Sequence, residues 1–171
     1  MNFSGTKIDL SGLTGKVFKI EVRGSKGARE LSFASGTTLS SVVAAINTFT
    51  DVTGVNATLS ANTSGIKLNS QDFGSDEFVS VKVLNSSGMQ GSGVYNLSTT
   101  NFNRAHNAAA IGNWTSATLA GGVQDNGQDV GASINGITAV SKGKTARINT
   151  DFLDVELTFN TSTSQTLAAV G

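Results

Sequence analysis

The chain has 171 residues, with 12 basic and 12 acidic side chains, a single His, no Cys and no Pro. Zero net charge excludes nucleic-acid or anionic-membrane binding driven by overall charge. Without Cys there is no disulfide scaffold, thiolate zinc site or thiol nucleophile.

No apolar run approaches the roughly 18 residues of a membrane span, and Met1-Asn2-Phe3-Ser4 lacks the charged-then-apolar opening of a signal peptide. With 38% hydrophobic and only 14% charged residues the chain can fold. Gly and Asn punctuate it in place of Pro, which predicts many short strands joined by tight turns.

Val17 to Arg23 alternate strictly, with Phe18, Ile20 and Val22 on the side facing a core. A turn at Gly24-Ser25-Lys26-Gly27 leads to a second strand with Leu31 and Phe33 inward, so the two make a hairpin. The period then changes to 3.6: Leu39, Val42, Val43, Ile46 and Phe49 share a face, which predicts a short amphipathic helix over about 38–49 on one face of a sheet. Thr37 or Thr38 suits its N-cap, and Gly54 can close the segment left-handed. Strands resume at Val55-Ala57-Leu59, at Ile66 and Leu68, and at Phe78–Leu84 with Val79, Val81 and Val83 on one face. This is a strand-rich α+β pattern with antiparallel sheets, not a doubly wound one.

Residues 85–93 read as a flexible loop and Val94–Leu97 as a short strand. The Ala-rich segment Asn103–Ile111 is predicted as a short helix, anchored by Trp114 and Leu119. Ala132–Val140 reads as a hairpin turning at Gly136. Ala146 and Ile148 alternate next, and Leu153, Val155, Leu157 and Phe159 make the clearest half-buried strand. The tail from Thr161 to Gly171 carries no cap. The predicted core includes Phe18, Ile20, Leu39, Val43, Ile46, Val81, Val155 and Leu157. The expected division is an α+β unit over 1–84, a loop-rich insertion or linker over 85–122, and a β-hairpin unit over 123–171, packed with the first.

Chemistry-bearing constellations are sparse. His106 has no carboxylate beside it in sequence and no Gly-x-Ser-x-Gly elbow to serve, so it reads as a loop residue. Two acidic loops, Asp72-Phe73-Gly74-Ser75-Asp76-Glu77 and Asp125-Asn126-Gly127-Gln128-Asp129, have oxygens that calcium favours but not the spacing of a calcium hand. The pairs Asp72/Asp76 and Asp125/Asp129 lack the aromatic cleft of a glycosidase. Turn and capping roles fit these carboxylates better. Gly88-x-x-Gly91-x-Gly93 lacks the Lys and the strand-to-helix setting of a phosphate cradle. The basic positions Lys16, Lys19, Arg23, Lys26 and Arg29 interleave with Glu21 and Glu30, as on a solvated hairpin. No catalytic, cofactor-binding or metal-ligating residue is assigned.

Gly36-Thr37-Thr38-Leu39-Ser40-Ser41-Val42-Val43-Ala44-Ala45-Ile46-Asn47, followed by Thr53-Gly54-Val55-Asn56-Ala57, resembles the IN motif of flagellins and hook-associated proteins, with Ile46-Asn47 as the pair that names it. Gly74–Val81 and Gly127–Val130 leading to Ile134-Asn135-Gly136 look like the family's continuation, so the resemblance covers roughly 15–84 and 122–160. It implies a non-enzymatic structural piece of the variable central region of a bacterial flagellin, a surface-exposed outer domain of the extracellular filament. The long polymerising helices of flagellins, which also carry the surface read by the innate immune receptor, are missing. The chain therefore reads as an excised fragment with its two ends close together.

Partners implied are other flagellin subunits through those missing helices, with neither nucleic acid nor membrane, and the isolated domain as a monomer. The Ser/Thr-rich loops 85–100 and 113–118 are candidate O-glycan acceptors. Rival readings are a hook-associated or filament-cap domain, and a carbohydrate-binding adhesin displaying Trp114 or Tyr95. Export of an unfolded subunit through a narrow channel, as the resemblance implies, suits a chain free of disulfides and of slow prolyl isomerisation.

Overall fold

The computed structural model describes residues 1, 3–10, 15–60, 64–89, 93–97, 106–134 and 136–160. The tail from Thr161 and the segment 98–105 lie outside the described residues. The chain forms two compact units, Met1–Gln71 with Phe78–Asp125, and Asp72–Glu77 with Asn126–Gly171. The elements described between residues 85 and 122 thus belong to the first unit, and the short excursion 72–77 belongs to the second.

In the first unit, β1 (Val17–Gly24) and β2 (Gly27–Ala34) form the expected antiparallel hairpin, closing on the pair Gly24↔Gly27. β5 (Phe78–Asn85) joins the other side of β1, and β8 (Val123–Asn126) completes a four-stranded sheet in the order β2-β1-β5-β8. Alternation puts Phe18, Ile20 and Val22 on one face with Leu31, Phe33, Val81 and Val83, all buried. That face is closed by α1 (Leu39–Asn47), whose Leu39, Val42 and Ile46 are buried at helical spacing, with Val43 partly buried against the same cluster. Each such side chain contributes about 1.5–3 kcal/mol when fully buried.

The helix starts where its cap dictates. Thr38 is extended, and its hydroxyl accepts from the Ser41 N–H at 3.2 Å. A further turn, α2 (Thr50–Thr53), ends at Gly54, whose φ of +75° is the left-handed cap expected. β3 (Val55–Leu59) and β4 (Ile66–Ser70) then form a separate two-stranded hairpin.

Two features of this unit depart from sequence expectation. Residues 1–10 are a packed strap: Phe3, Ile8 and Leu10 are buried, and Met1 and Phe3 run antiparallel to Ile66 and Ser64, with Met1 N donating to Ile66 O at 2.8 Å and Phe3 N to Ser64 O at 2.7 Å. The predicted helix over Asn103–Ile111 is overturned as well. β7 (His106–Asn113) is a strand paired with β6 (Gly93–Leu97). An Ala run favours helix only weakly, and a neighbouring strand in register overrides that preference. The helix of this region is instead α3 (Ala117–Gly121), capped by Ser116. Trp114 and Leu119 anchor the segment as expected. Trp114 is 1% exposed, stacked on Phe3 at 4.9 Å between ring centroids and edge-on to Phe18 at 5.1 Å.

The second unit is built from short antiparallel strands. β9 (Ser133–Ile134) pairs with β10 (Ile137–Thr138), and β11 (Val140–Lys142), β12 (Thr145–Asn149) and β13 (Asp154–Thr158) form a three-stranded sheet with β12 at its centre. Its buried residues are Ala146 and Ile148. The placement of Leu157 in the core is corrected: it is 42% exposed, and Val155 is only half-buried. Both alternate as expected, opposite Ala146 and Ile148, but β13 is an edge strand, covered less completely than the central one.

Candidate functional site

The two acidic loops singled out in the sequence meet in the second unit, around Asp129. Oδ1 of Asp129 accepts from the backbone N–H of Ser75 at 3.0 Å and of Gly143 at 2.7 Å, while Oδ2 accepts from the Ser75 hydroxyl at 2.7 Å. Three glycines make room for this approach. A Cβ on Gly127 would lie 2.1 Å from Gly74 O, and one on Gly74 would meet Asp129 Oδ1 at 2.9 Å. Gly143, at φ +59°, turns its N–H toward the carboxylate. Gly127 N donates to Glu77 O at 2.7 Å, Lys142 Nζ lies 3.3 Å from Asp76, and Lys144 Nζ sits over the Phe73 ring.

The arrangement is a staple between loops distant in sequence. Asp129 spends its oxygens on N–H and O–H donors, which is the capping role, not a calcium ligand's. Among the described residues no three His, Asp or Glu side chains gather as a metal set. Asp125 belongs to the first unit and Asp129 to the second. His106 begins β7 opposite Leu97, and its side chain lies outside the described residues. Asn135 does too.

The Ser75 hydroxyl, then the Gly143 and Ser75 N–H groups, hold the Asp129 carboxyl below its ordinary value of 3.8. A carboxyl depressed by folding adds stability above its unfolded pKa, and that stability is lost as pH falls through the folded value. The expected result is that the Ser75 and Gly143 amide resonances titrate together with a midpoint below 3.8, and that Asp129→Asn abolishes this step. A midpoint at or above 3.8 in the parent chain would contradict the staple.

In the first unit, the loop-forming polar residues after α1 are equally committed. Asn47 is the last residue of α1, one position after buried Ile46. Its side-chain amide meets Ala57 of β3 on both groups: Ala57 N donates to Oδ1 at 2.7 Å, and Nδ2 donates to Ala57 O at 3.0 Å. One turn on, the Thr50 hydroxyl donates to Val55 O at 3.0 Å, and Val55 N donates to Thr53 Oγ1 at 3.2 Å. The Ile-Asn pair is thus a join: the Ile fills the core under the sheet, and the Asn ties the helix end to the next strand.

Residues 17–72 match the family model of the flagellin hook IN motif. The match takes in the β1–β2 hairpin, both helices and the β3–β4 hairpin, and stops before β5. The IN motif of this chain is therefore a folded part of the first unit, consistent with a flagellin-related protein. Searches of curated proteins and of solved structures return no match. No helix among the described residues is long and apolar enough to cross a membrane.

Sequence reasoning found the helix, its cap and the Ile-Asn pair, but missed what the Asn does. The signal is its spacing: Asn47, Thr50 and Thr53 recur every three residues, followed after Gly54 by a β-branched strand start. Of the two aromatics named for the adhesin reading, Trp114 is enclosed between Phe3 and Phe18, while Tyr95 is half-buried. In the loops considered for glycans, Ser87 is buried with its hydroxyl on Val17 O at 2.7 Å, and Ser116 caps α3, whereas Thr115 is exposed.

Proposed function

We propose that this chain is a non-enzymatic, surface-exposed structural domain of a flagellin-related filament protein, located outside the cell. The observation that supports the reading best is the IN-motif match over 17–72, in a unit whose polar side chains at the motif are consumed in holding the backbone together. On this reading its partners are other filament subunits, and the isolated chain is a monomer. Thr115 and Thr118 are the exposed hydroxyls of residues 113–118 that could carry an O-glycan.

Immunogold labelling tests the location. An antibody raised against the chain should decorate filaments along their length on cells that produce it. Label confined to the filament tip or the hook would assign the domain to a hook-associated or cap protein instead. Label absent from the flagellum would overturn the reading.

A further inference from the structure

β3 and β4 form a two-stranded sheet, and a sheet so small has both edges at risk, because each presents unpaired N–H and C=O groups to any extended chain nearby. Here neither edge meets a regular strand of the same sheet, yet both are occupied. The β4 edge carries Met1 and Phe3, paired with Ile66 and Ser64. Among the described residues the β3 edge carries no backbone partner at Val55 and Ala57 but four side-chain hydrogen bonds in a row: Val55 N donates to Thr53 Oγ1, Thr50 Oγ1 to Val55 O, Ala57 N to Asn47 Oδ1, and Asn47 Nδ2 to Ala57 O. In an antiparallel pair, alternate residues of a strand point both backbone groups away from the partner. Val55, Ala57 and Leu59 are such residues, and all four outward groups of the first two are satisfied.

We propose that Asn47, Thr50 and Thr53 act as a strand made of side chains that closes the β3 edge, and that the occupant they exclude is the same edge of a second copy of this chain. An Asn side chain presents N–H and C=O groups side by side, as a peptide group does, which is why Asn serves where Leu or Lys would not. The second copy is the fitting occupant because an antiparallel edge pairs with itself across a twofold axis. Val55-Asn56-Ala57-Thr58-Leu59 also alternates as a strand, and the other edge of the sheet is already taken. The segment Asn47–Thr53 thus keeps the subunit from joining its neighbours edge to edge.

The test uses the full chain in four forms: parent, Asn47→Ala, Thr50→Val, and Val42→Ala as a core-weakening control that leaves the edge bonds in place. The parent should sediment as a monomer. Asn47→Ala should exchange its Ala57 amide at least about tenfold faster than the parent and form a dimer at high concentration. Thr50→Val, which keeps the volume and removes one edge bond, should move the same way by less; it carries the test if Asn47→Ala does not fold. Because the chain has no Cys, a single Thr58→Cys on the exposed side of β3 should cross-link in the Asn47→Ala background and not in the parent background. The proposal is overturned if Val42→Ala associates as strongly as Asn47→Ala. It is also overturned if both edge variants stay monomeric, or if Thr58→Cys cross-links equally in both backgrounds.

Discussion

Trp114→Ala should lower the unfolding free energy of the first unit by about 3–5 kcal/mol, the range for emptying a large aromatic from a packed core. Trp114 is enclosed by Phe3 on its face and Phe18 on its edge, with Leu119 buried in the same cluster. Each well-placed ring pair adds about 0.5–1.5 kcal/mol beyond area burial, so the truncation removes contact area and two oriented pairs at once. Against a domain stability of about 5–15 kcal/mol, that is a large fraction. Urea unfolding followed by far-UV circular dichroism checks it, since the variant loses the chain's single Trp as a fluorophore. Trp114→Phe is the informative contrast. The indole Nε1 is buried and has no hydrogen-bond partner among the described residues, and Phe removes that orphan donor while keeping a ring. It should therefore cost clearly less than the Ala variant. Equal losses would show that the indole N–H is satisfied in solution.

Gly24→Ala should be among the most damaging single-methyl changes in the first unit. A Cβ there would lie 2.4 Å from Thr53 O, 2.8 Å from Val55 Cγ2 and 3.2 Å from Phe78 O. Two of those atoms are backbone, fixed by the α2 cap and by β5, so the neighbours cannot step aside as the end of a side chain would. Overpacking of this kind costs about 1–3 kcal/mol, and the upper end is expected because the clash is with main chain. Gly24 is the point where the first hairpin, α2 and β5 touch. Gly5→Ala is the control: its Cβ would meet nothing within 4 Å, and its denaturation midpoint should match the parent. A Gly24→Ala midpoint equal to the parent's would mean that this junction is looser than described.

What was legible in the sequence was local. β1 and β2 show in the alternation of Phe18, Ile20 and Val22, and the helix shows in Leu39, Val42 and Ile46 after a Thr cap, because each pattern is complete within a dozen residues. The strap over residues 1–10 was not legible. Phe3, Ile8 and Leu10 keep neither a strand nor a helix period, and their burial depends on α1 and β4 offering somewhere to lie. β7 was misread because four Ala in the neighbourhood favour helix, while the partner that makes it a strand begins more than ten residues earlier. The depth of Leu157 depended on strand order, which alternation does not encode. The Asp129 staple joins residues 54 positions apart. Its loops looked alike in sequence, both acidic and glycine-bearing, but only the close approach at Gly74 and Gly127 shows that they belong together.

The excursion of Asp72–Glu77 into the second unit means that neither unit can be cut out as one unbroken stretch of chain. A fragment ending at Gln71 lacks β5 and Trp114. One beginning at Asn126 lacks Ser75 and the Gly74 turn against which Asp129 and Gly127 close. A chain that emerges into solution from one end would have to hold its first seventy residues incomplete until Trp114 and β8 arrive. Asp129 comes soon after β8, but Gly143 and the strands β12 and β13, which end at Thr158, must follow before the second unit can close. The interleaved path holds both units incomplete until the last third of the chain has begun to emerge.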